Sequence, residues 1–136
     1  MKNLIIISLL TIFVTSAYAG SIKSIGTTTV TDTPNRTISI MAAKTSTGDG
    51  EIYAVHPLAR TVDVKVVGTG AVTATVIIYV SNTGGSDDWI EAGTITLSGT
   101  TSDADGFAMN AKWAYLKANV SAISGTGAAV TGTLGV

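Results

Sequence analysis

Two runs of alternating apolar and polar side chains, joined by a glycine turn, occupy residues 61–80, which read TVDVKVVGTGAVTATVIIYV. In the first run, valine alternates with Asp63 and Lys65. A period of two places the valines on one face of a strand and the charged side chains on the other. The Gly-Thr-Gly sequence at residues 68–70 supplies the backbone freedom that a tight turn needs. This stretch therefore predicts two antiparallel strands, each with one buried and one solvated face.

Similar alternation continues through most of the chain after residue 35. The composition there is rich in threonine, valine and isoleucine, which favour strands, and no window has the period of an amphipathic helix. Strands are predicted at residues 36–43, 61–67, 71–80, 90–97, 113–123 and 128–136. Connections are predicted at residues 45–57, 81–88, 98–106 and 124–127. The predicted fold is all-β: a single antiparallel β-sandwich or jelly-roll-like domain of about seven strands over residues 36–136.

The same alternation predicts which side chains face the core. In the strand at 71–80, the even-numbered positions from Val72 to Val80 are expected to be buried. In the strand at 113–123, the buried face is predicted to contain Leu116, Ala118, Val120 and Ala122.

The N-terminus is typical of a secretory signal peptide. Lys2 precedes the apolar run LIIISLLTIFV, and the sequence AYA follows at residues 17–19. A basic start, an apolar run of about 7–15 residues and a small-x-small end are the parts of a cleavable leader. The alternative, an uncleaved membrane anchor, needs about 20 apolar residues. We predict a signal peptide over residues 1–19, cleaved after Ala19, a polar N-terminal arm over 20–35, and an exported protein with no stable membrane span after cleavage.

Composition excludes several classes of function. The 136-residue chain has no cysteine, 1 histidine, 8 basic and 9 acidic residues, and a formal net charge of −1. Without cysteine it has no disulfide, thiol nucleophile, zinc–thiolate site or iron–sulfur cluster, and a negative charge does not suit a binder that neutralises phosphates. His56 precedes Pro57 and is expected to be a turn residue. We predict a non-enzyme with no cofactor and no nucleic-acid partner.

Two pairs of aspartates are the candidates for a cation site. Asp103 and Asp105 begin a sequence that is similar to a calcium loop, but the twelfth position is Ala114 instead of glutamate. Asp87 and Asp88 lie in another predicted connection, which simple strand reversal places at the opposite end of the sheet. We expect solvated turn aspartates and no metal, with calcium binding by either pair as the open alternative.

Four aromatic residues are the candidates for ligand or assembly contacts: Tyr79, Trp89, Trp113 and Tyr115. Exposed rings would stack on sugar rings and make the chain a carbohydrate-binding module. In the favoured interpretation, Trp89 and Trp113 instead plug the ends of the sandwich, because burying a large ring contributes on the order of a few kcal/mol.

Three segments of the C-terminal half are similar in sequence to a known family. They read GTGAVTATVIIYVSNTGGSDDWI at 68–90, GTITLSGTTSDADGFA at 93–108 and WAYLKANVSAISGTGAAVTGTLGV at 113–136. These segments resemble a family of small bacteriophage virion-associated β-sandwich proteins, and the Ser-Asn…Trp hairpin also resembles discoidin-like adhesive modules. The resemblance implies a non-catalytic structural protein on a particle surface, such as a decoration, fibre or tail component. The export-type leader departs from that pattern and leaves open whether the protein is host-encoded or phage-encoded.

The predicted function is therefore a structural or adhesive module that binds copies of itself or a larger particle. Low charge leaves strand edges weakly protected, so residues 20–35 and 128–136 are the candidates for strand addition between subunits. The alternative is a secreted carbohydrate-binding or cell-surface adhesion module.

Overall fold

A computed structural model describes the backbone of residues 22–23 and the full structure of residues 37–55 and 61–136. Within this part of the chain the regular elements are all strands: β1 (Ile22–Lys23), β2 (Thr37–Lys44), β3 (Gly48–Ala54), β4 (Thr61–Val67), β5 (Val72–Ser81), β6 (Ile90–Gly99), β7 (Ser102–Ala108), β8 (Tyr115–Ser124) and β9 (Ala129–Gly135). The all-β prediction is confirmed. No helix in the described ranges is long and apolar enough to cross a membrane. The predicted signal peptide and His56 lie outside these ranges.

The strands form two packed sheets. One has the order β1-β3-β8-β5-β6 and the other the order β2-β9-β4-β7. All neighbours are antiparallel except β1, which pairs with β3 in parallel. From β2 to β9, successive strands lie in opposite sheets, and only β5 and β6 form a hairpin within one sheet. This eight-strand order is that of a jelly roll, so the predicted β-sandwich or jelly-roll architecture is confirmed.

The core lies between the two sheets and is built from the inward positions of alternating strands. All five predicted inner positions of β5 are buried, as are Val62, Val64 and Val66 of β4. Fully burying one valine or leucine side chain contributes about 1.5–3 kcal/mol. The largest side chains with almost no exposure come from six of the strands: Ile40, Val62, Val64, Val66, Val72, Val76, Ile78, Val80, Leu97, Leu116, Val120 and Leu134.

Two strands lie where connections were predicted. β3 reads GDGEIYA and lies in the predicted connection 45–57, and β7 reads SDADGFA and overlaps the predicted connection 98–106. Glycine and aspartate are rare in strands because they pack poorly on a pleated surface. Here pairing with β8 and β4 overrides that weak propensity. The described part of residues 36–136 therefore contains eight strands, β2 to β9, where the sequence predicted about seven, and β1 lies in the predicted arm.

A bulge in β8 overturns one predicted inner position. The register of β5 on β8 shifts between Thr75, which pairs with Ala122, and Val76, which pairs with Val120. The extra residue in β8 reverses the alternation beyond it. Ala122 is therefore exposed instead of buried, and Ile123 packs against the core.

Two glycines with the same backbone angle allow a test of the crossings between sheets. Gly70 and Gly125 both have φ of +119°, but a Cβ at Gly70 has no heavy atom within 4 Å, whereas one at Gly125 lies 2.6 Å from the Ala71 carbonyl oxygen. We expect Gly70→Ala to lower the free energy of unfolding by about 1–2 kcal/mol, the strain of a left-handed residue. Gly125→Ala adds steric overlap and should lower it by a further ~1–3 kcal/mol. Urea denaturation of both variants measures this difference, and equal losses would contradict the close approach at Gly125.

Candidate binding surfaces

The outer face of the sheet that contains β5 and β8 carries a group of polar and aromatic side chains. Strand alternation turns Tyr79, Lys117 and Asn119 away from the core, since their neighbours in sequence are buried. Strand register then pairs Tyr79 with Lys117 and Asn119 with Asp49. Residues far apart in the chain are thereby brought together on one face.

Lys117 is at the centre of this group. Its Nζ lies 4.9 Å from the centroid of the Trp89 ring and 5.5 Å from that of Tyr79. It also lies 3.0 Å from Oδ2 of Asp49, and the lysine side chain is only 17% exposed. A cation over an aromatic face contributes roughly 0.5–1 kcal/mol at partly exposed sites. We call Asp49, Tyr79, Trp89, Lys117 and Asn119 the outer-face cluster.

Asp49 is held as a carboxylate by its neighbours. The Asn119 side-chain amide donates a hydrogen bond of 2.5 Å to Oδ1, and Lys117 donates to Oδ2. Partial burial alone would raise the pKa of Asp49, but the hydrogen bonds from Asn119 and Lys117, with the charges of Lys117 and Lys44, hold this pKa below its ordinary value of 3.8. The carboxylate and the ammonium group therefore form a charge-balanced pair.

The connection that carries Trp89 is fixed by its own hydrogen bonds. The buried Ser81 hydroxyl accepts hydrogen bonds from the backbone N–H of Thr83 at 3.1 Å and of Gly84 at 2.9 Å. The Thr83 hydroxyl donates to Asp88 at 2.5 Å. Such side-chain-to-backbone bonds are typical of ordered turns. They hold residues 82–89 in place and so position the Trp89 ring.

The four predicted aromatic residues separate into different surroundings. Tyr79 and Trp89 meet around Lys117. Trp113 packs against the core, as the plug interpretation predicted. The same interpretation is wrong for Trp89, which lies over Lys117 on the outer face because the β5–β6 connection folds back onto that face. The Tyr115 ring lies against Gly84, where a Cβ would come within 3.2 Å of it.

Three members of the cluster were not identified from the sequence. Lys117 and Asn119 were visible as the polar positions of an alternating strand, which is an ordinary pattern for a solvated face. Asp49 lies in β3, the strand predicted as a connection. The signal that would have found them is the pairing of β3 with β8, which only the folded chain contains.

The two aspartate pairs do not converge. Asp87 and Asp88 precede β6, whereas Asp103 follows it and lies in β7 with Asp105. Asp103 accepts a hydrogen bond of 2.8 Å from the Ser98 N–H, so it holds the turn between β6 and β7. Among the residues that the structure describes, no three histidine, cysteine or acidic side chains are grouped to hold a metal ion.

Each flank of the sandwich has a short connection between the sheets and a cleft. On one side, residues 100–101 join β6 to β7, and a cleft of about 250 Å³ beside these strands is lined in part by Ile90, Phe107 and Trp113. On the other side, β2 and β3 border a cleft of about 460 Å³. We call this side the open flank; its cleft is lined by Ser39, Ile40, Met41, Ala42, Lys44, Asp49, Gly50, Glu51 and Tyr53.

Strand edges at the open flank are unequal. β2 has two register shifts against β9, which distort its edge, and Ala43 within it has φ of +37°. β3 has one shift, between Asp49 and Ile52. The regular part of β3 that follows pairs with β1 through Ile22 to Ile52 and Lys23 to Tyr53. Bulged edges resist added strands, so β3 is the edge that accepts one.

Tyr53 lies at the inner wall of this cleft. Its hydroxyl donates a 3.2 Å hydrogen bond to Oε2 of Glu51. Burial first, and then the charge and hydrogen bond of Glu51, raise the pKa of Tyr53 above 10.0. The phenol therefore remains protonated and keeps donating at neutral pH.

One of the two predicted strand-addition segments is overturned. The segment 128–136 forms β9, which lies between β2 and β4 with both of its edges paired. It has no free edge to offer because the jelly-roll order places it inside the sheet. Of the segment 20–35, the described residues Ile22–Lys23 do add as a strand, to β3 of the same chain.

Comparison with known proteins is limited to fold. No protein-family profile matches the chain, and no curated protein matches it at a significant level. Among solved structures it is similar to the SPBc2 prophage-derived protein YomS, over 75% of this chain and 93% of that chain. The two have 18% sequence identity and a TM-score of 0.49. A likeness of this size does not bear on function.

Acid titration tests the surroundings of Asp49. A carboxylate with a lowered pKa contributes stability above its unfolded pKa of about 3.9, and loses it as the pH falls through the folded value. We expect the Asp49→Asn variant to lose less stability than the unmodified protein as the pH falls below about 4. At pH 7 the substitution should lower the free energy of unfolding by less than ~1 kcal/mol, since the side chain is 52% exposed. Asn119→Ala keeps the carboxylate but removes one of its hydrogen-bond donors. Its loss of stability in acid should therefore lie between that of the unmodified protein and that of Asp49→Asn. Urea denaturation from pH 2 to 7 measures this, and an unchanged acid response in Asp49→Asn would contradict it.

Proposed function

We propose that this chain is an exported, non-catalytic structural module of the phage-virion surface type, which assembles by adding its N-terminal arm to a neighbouring copy. The observation that carries this proposal is the parallel pairing of β1 with β3 at the open flank. At this flank β2 is distorted by two register shifts, whereas the regular end of β3 accepts an added strand.

Sequence and fold class support the structural role. The C-terminal half, residues 68–136, carries the segments that resemble virion-associated β-sandwich proteins. Jelly rolls are common in viral capsid and lectin domains. Both lines of support favour a protein that presents surfaces over one that makes or breaks bonds.

The arm is suited to exchange between copies. Its described contact with β3 is a ladder of only two residues, and each net hydrogen bond contributes about 0.5–1.5 kcal/mol. Residues 24–36 separate β1 from β2, and a chain of that length reaches up to roughly 40 Å. An arm from a neighbouring copy makes the same pairing as its own arm, which is the low-cost route of strand swapping. Exchange would link copies without needing a large apolar interface.

Paired single-cysteine variants test the exchange. Ile22 and Ile52 are Cα partners in the parallel ladder, and the chain has no cysteine of its own. Ile22→Cys and Ile52→Cys are made in separate chains expressed from the full gene, mixed and oxidised. If arms exchange, a disulfide forms between the two different chains, because adjacent strands hold the thiols at bonding distance. Non-reducing electrophoresis with mass spectrometry identifies the mixed dimer.

A third variant controls for random collision. Thr94→Cys places a thiol on exposed β6, at the opposite edge of the same sheet. It should form little mixed dimer with Ile22→Cys. The proposal fails if the Ile22→Cys and Ile52→Cys pair cross-links no more than this control, while the double variant closes within one chain. A strict monomer in sedimentation of the unmodified protein at high concentration would also contradict it.

A further inference from the structure

The side chains of the outer-face cluster are ordered by contacts with one another, and core packing does not require these contacts. Its members lie on the solvent side of the sheet, while the buried side chains of β5 and β8 face the other way. Each polar member is nevertheless fixed: Lys117 by Asp49, Trp89 and Tyr79, and Asp49 by Asn119. Side chains that are already ordered lose little entropy when a ligand binds. The cluster therefore has the preorganisation of a binding surface.

Charge balance narrows the ligand chemistry. Within the cluster, the ammonium group of Lys117 is paired with the Asp49 carboxylate at 3.0 Å, so these two charges offset each other. Lys44, whose Nζ donates to the main-chain oxygen of Asp49 at 2.7 Å, lines the cleft of the open flank together with Glu51. A phosphate or carboxylate ligand would meet the carboxylate as well as the ammonium group. A neutral ligand is not repelled by the Asp49 carboxylate.

The hydrogen-bonding capacity of Asp49 and the aromatic ring surface narrow the ligand chemistry further. The two oxygens of Asp49 accept one donor each from the cluster, and an ionised carboxylate accepts about four. The side chain is 52% exposed, so its remaining capacity faces solvent. Tyr79 and Trp89 border this polar group with half-buried rings, which offer apolar surface with a polar tip. A ligand that fits has hydroxyl groups on its rim and an apolar ring face.

We propose that the outer-face cluster binds a neutral pyranose sugar, with its hydroxyl groups on Asp49 and Asn119 and its ring face against Trp89. This function goes beyond the proposed assembly. The cluster shares only Asp49 with the lining of the open flank, so each proposal can fail while the other stands.

Nuclear magnetic resonance of the two tryptophans tests the site without any mutation. The chain has 2 tryptophans, so its spectrum contains two indole Nε1–H signals. The probes are neutral trisaccharides of glucose, galactose, mannose and N-acetylglucosamine, with trigalacturonate as the anionic counterpart. At least one neutral probe should shift the Trp89 signal and leave that of Trp113, which packs against the core, unchanged.

Variants then separate the roles of the cluster members. Trp89→Ala should weaken binding of the neutral probe at least tenfold, and Lys117→Met should weaken it because the lysine positions both rings. Thr96→Ala, on an exposed position of β6, is the control and should bind like the unmodified protein. Asp49→Asn leaves the Lys117 charge unbalanced, so it should shift the preference from the neutral probe toward trigalacturonate.

Several results would overturn the site. Failure of every neutral probe to shift the Trp89 signal at millimolar concentration is one, and tighter binding of trigalacturonate than of any neutral probe is another. Binding that survives both Trp89→Ala and Asp49→Asn also excludes it. The spread of backbone amide signals in each variant distinguishes a lost contact from a lost fold.

Discussion

Burial of one valine-rich face from each sheet is the interaction on which the rest of the structure depends. β4 contributes three buried valines to one side, and β5 contributes its even-numbered positions to the other. The chain brings these faces together by passing from one sheet to the other at nearly every connection. Since successive strands from β2 to β9 are split between the sheets everywhere except at the β5–β6 hairpin, neither sheet is complete until most of the chain is in place. Core packing and strand order therefore depend on each other.

That constraint determines where functional surfaces can lie. The inner faces of the sheets form the core, so binding surfaces are confined to the outer faces and the flanks. The outer face over β5 and β8 has a fixed, charge-balanced group around Lys117. The flank at β2 and β3 has a cleft and an edge strand that pairs with β1, and the flank at β6 and β7 has a smaller cleft. The proposed sugar-binding surface and the proposed assembly edge therefore lie at different places on the domain.

Local sequence signals succeeded where side-chain period and burial agree. β4 alternates without interruption, and its buried and exposed positions follow the predicted faces. They failed where pairing stabilises a segment of weak propensity, as in β3 and β7. They also failed at the β8 bulge, because one extra residue reverses the face of Ala122 without leaving a mark in composition. For Trp89, its position at the start of a strand indicated neither face, and the fold of residues 82–89 decided it.

From its own order of residues, this chain determines an all-β class, the positions of its regular strands and the faces that avoid water. A period of two is sufficient for this because it depends only on neighbours along the backbone. Which strands lie side by side is decided by tertiary structure, since backbone hydrogen bonds between strands carry little information about the residues that they join. Lys117 and Asp49 are 68 positions apart in the chain, yet their side chains form an ion pair. Their meeting, and with it the outer-face cluster, exists only because the two-sheet order places β3 beside β8.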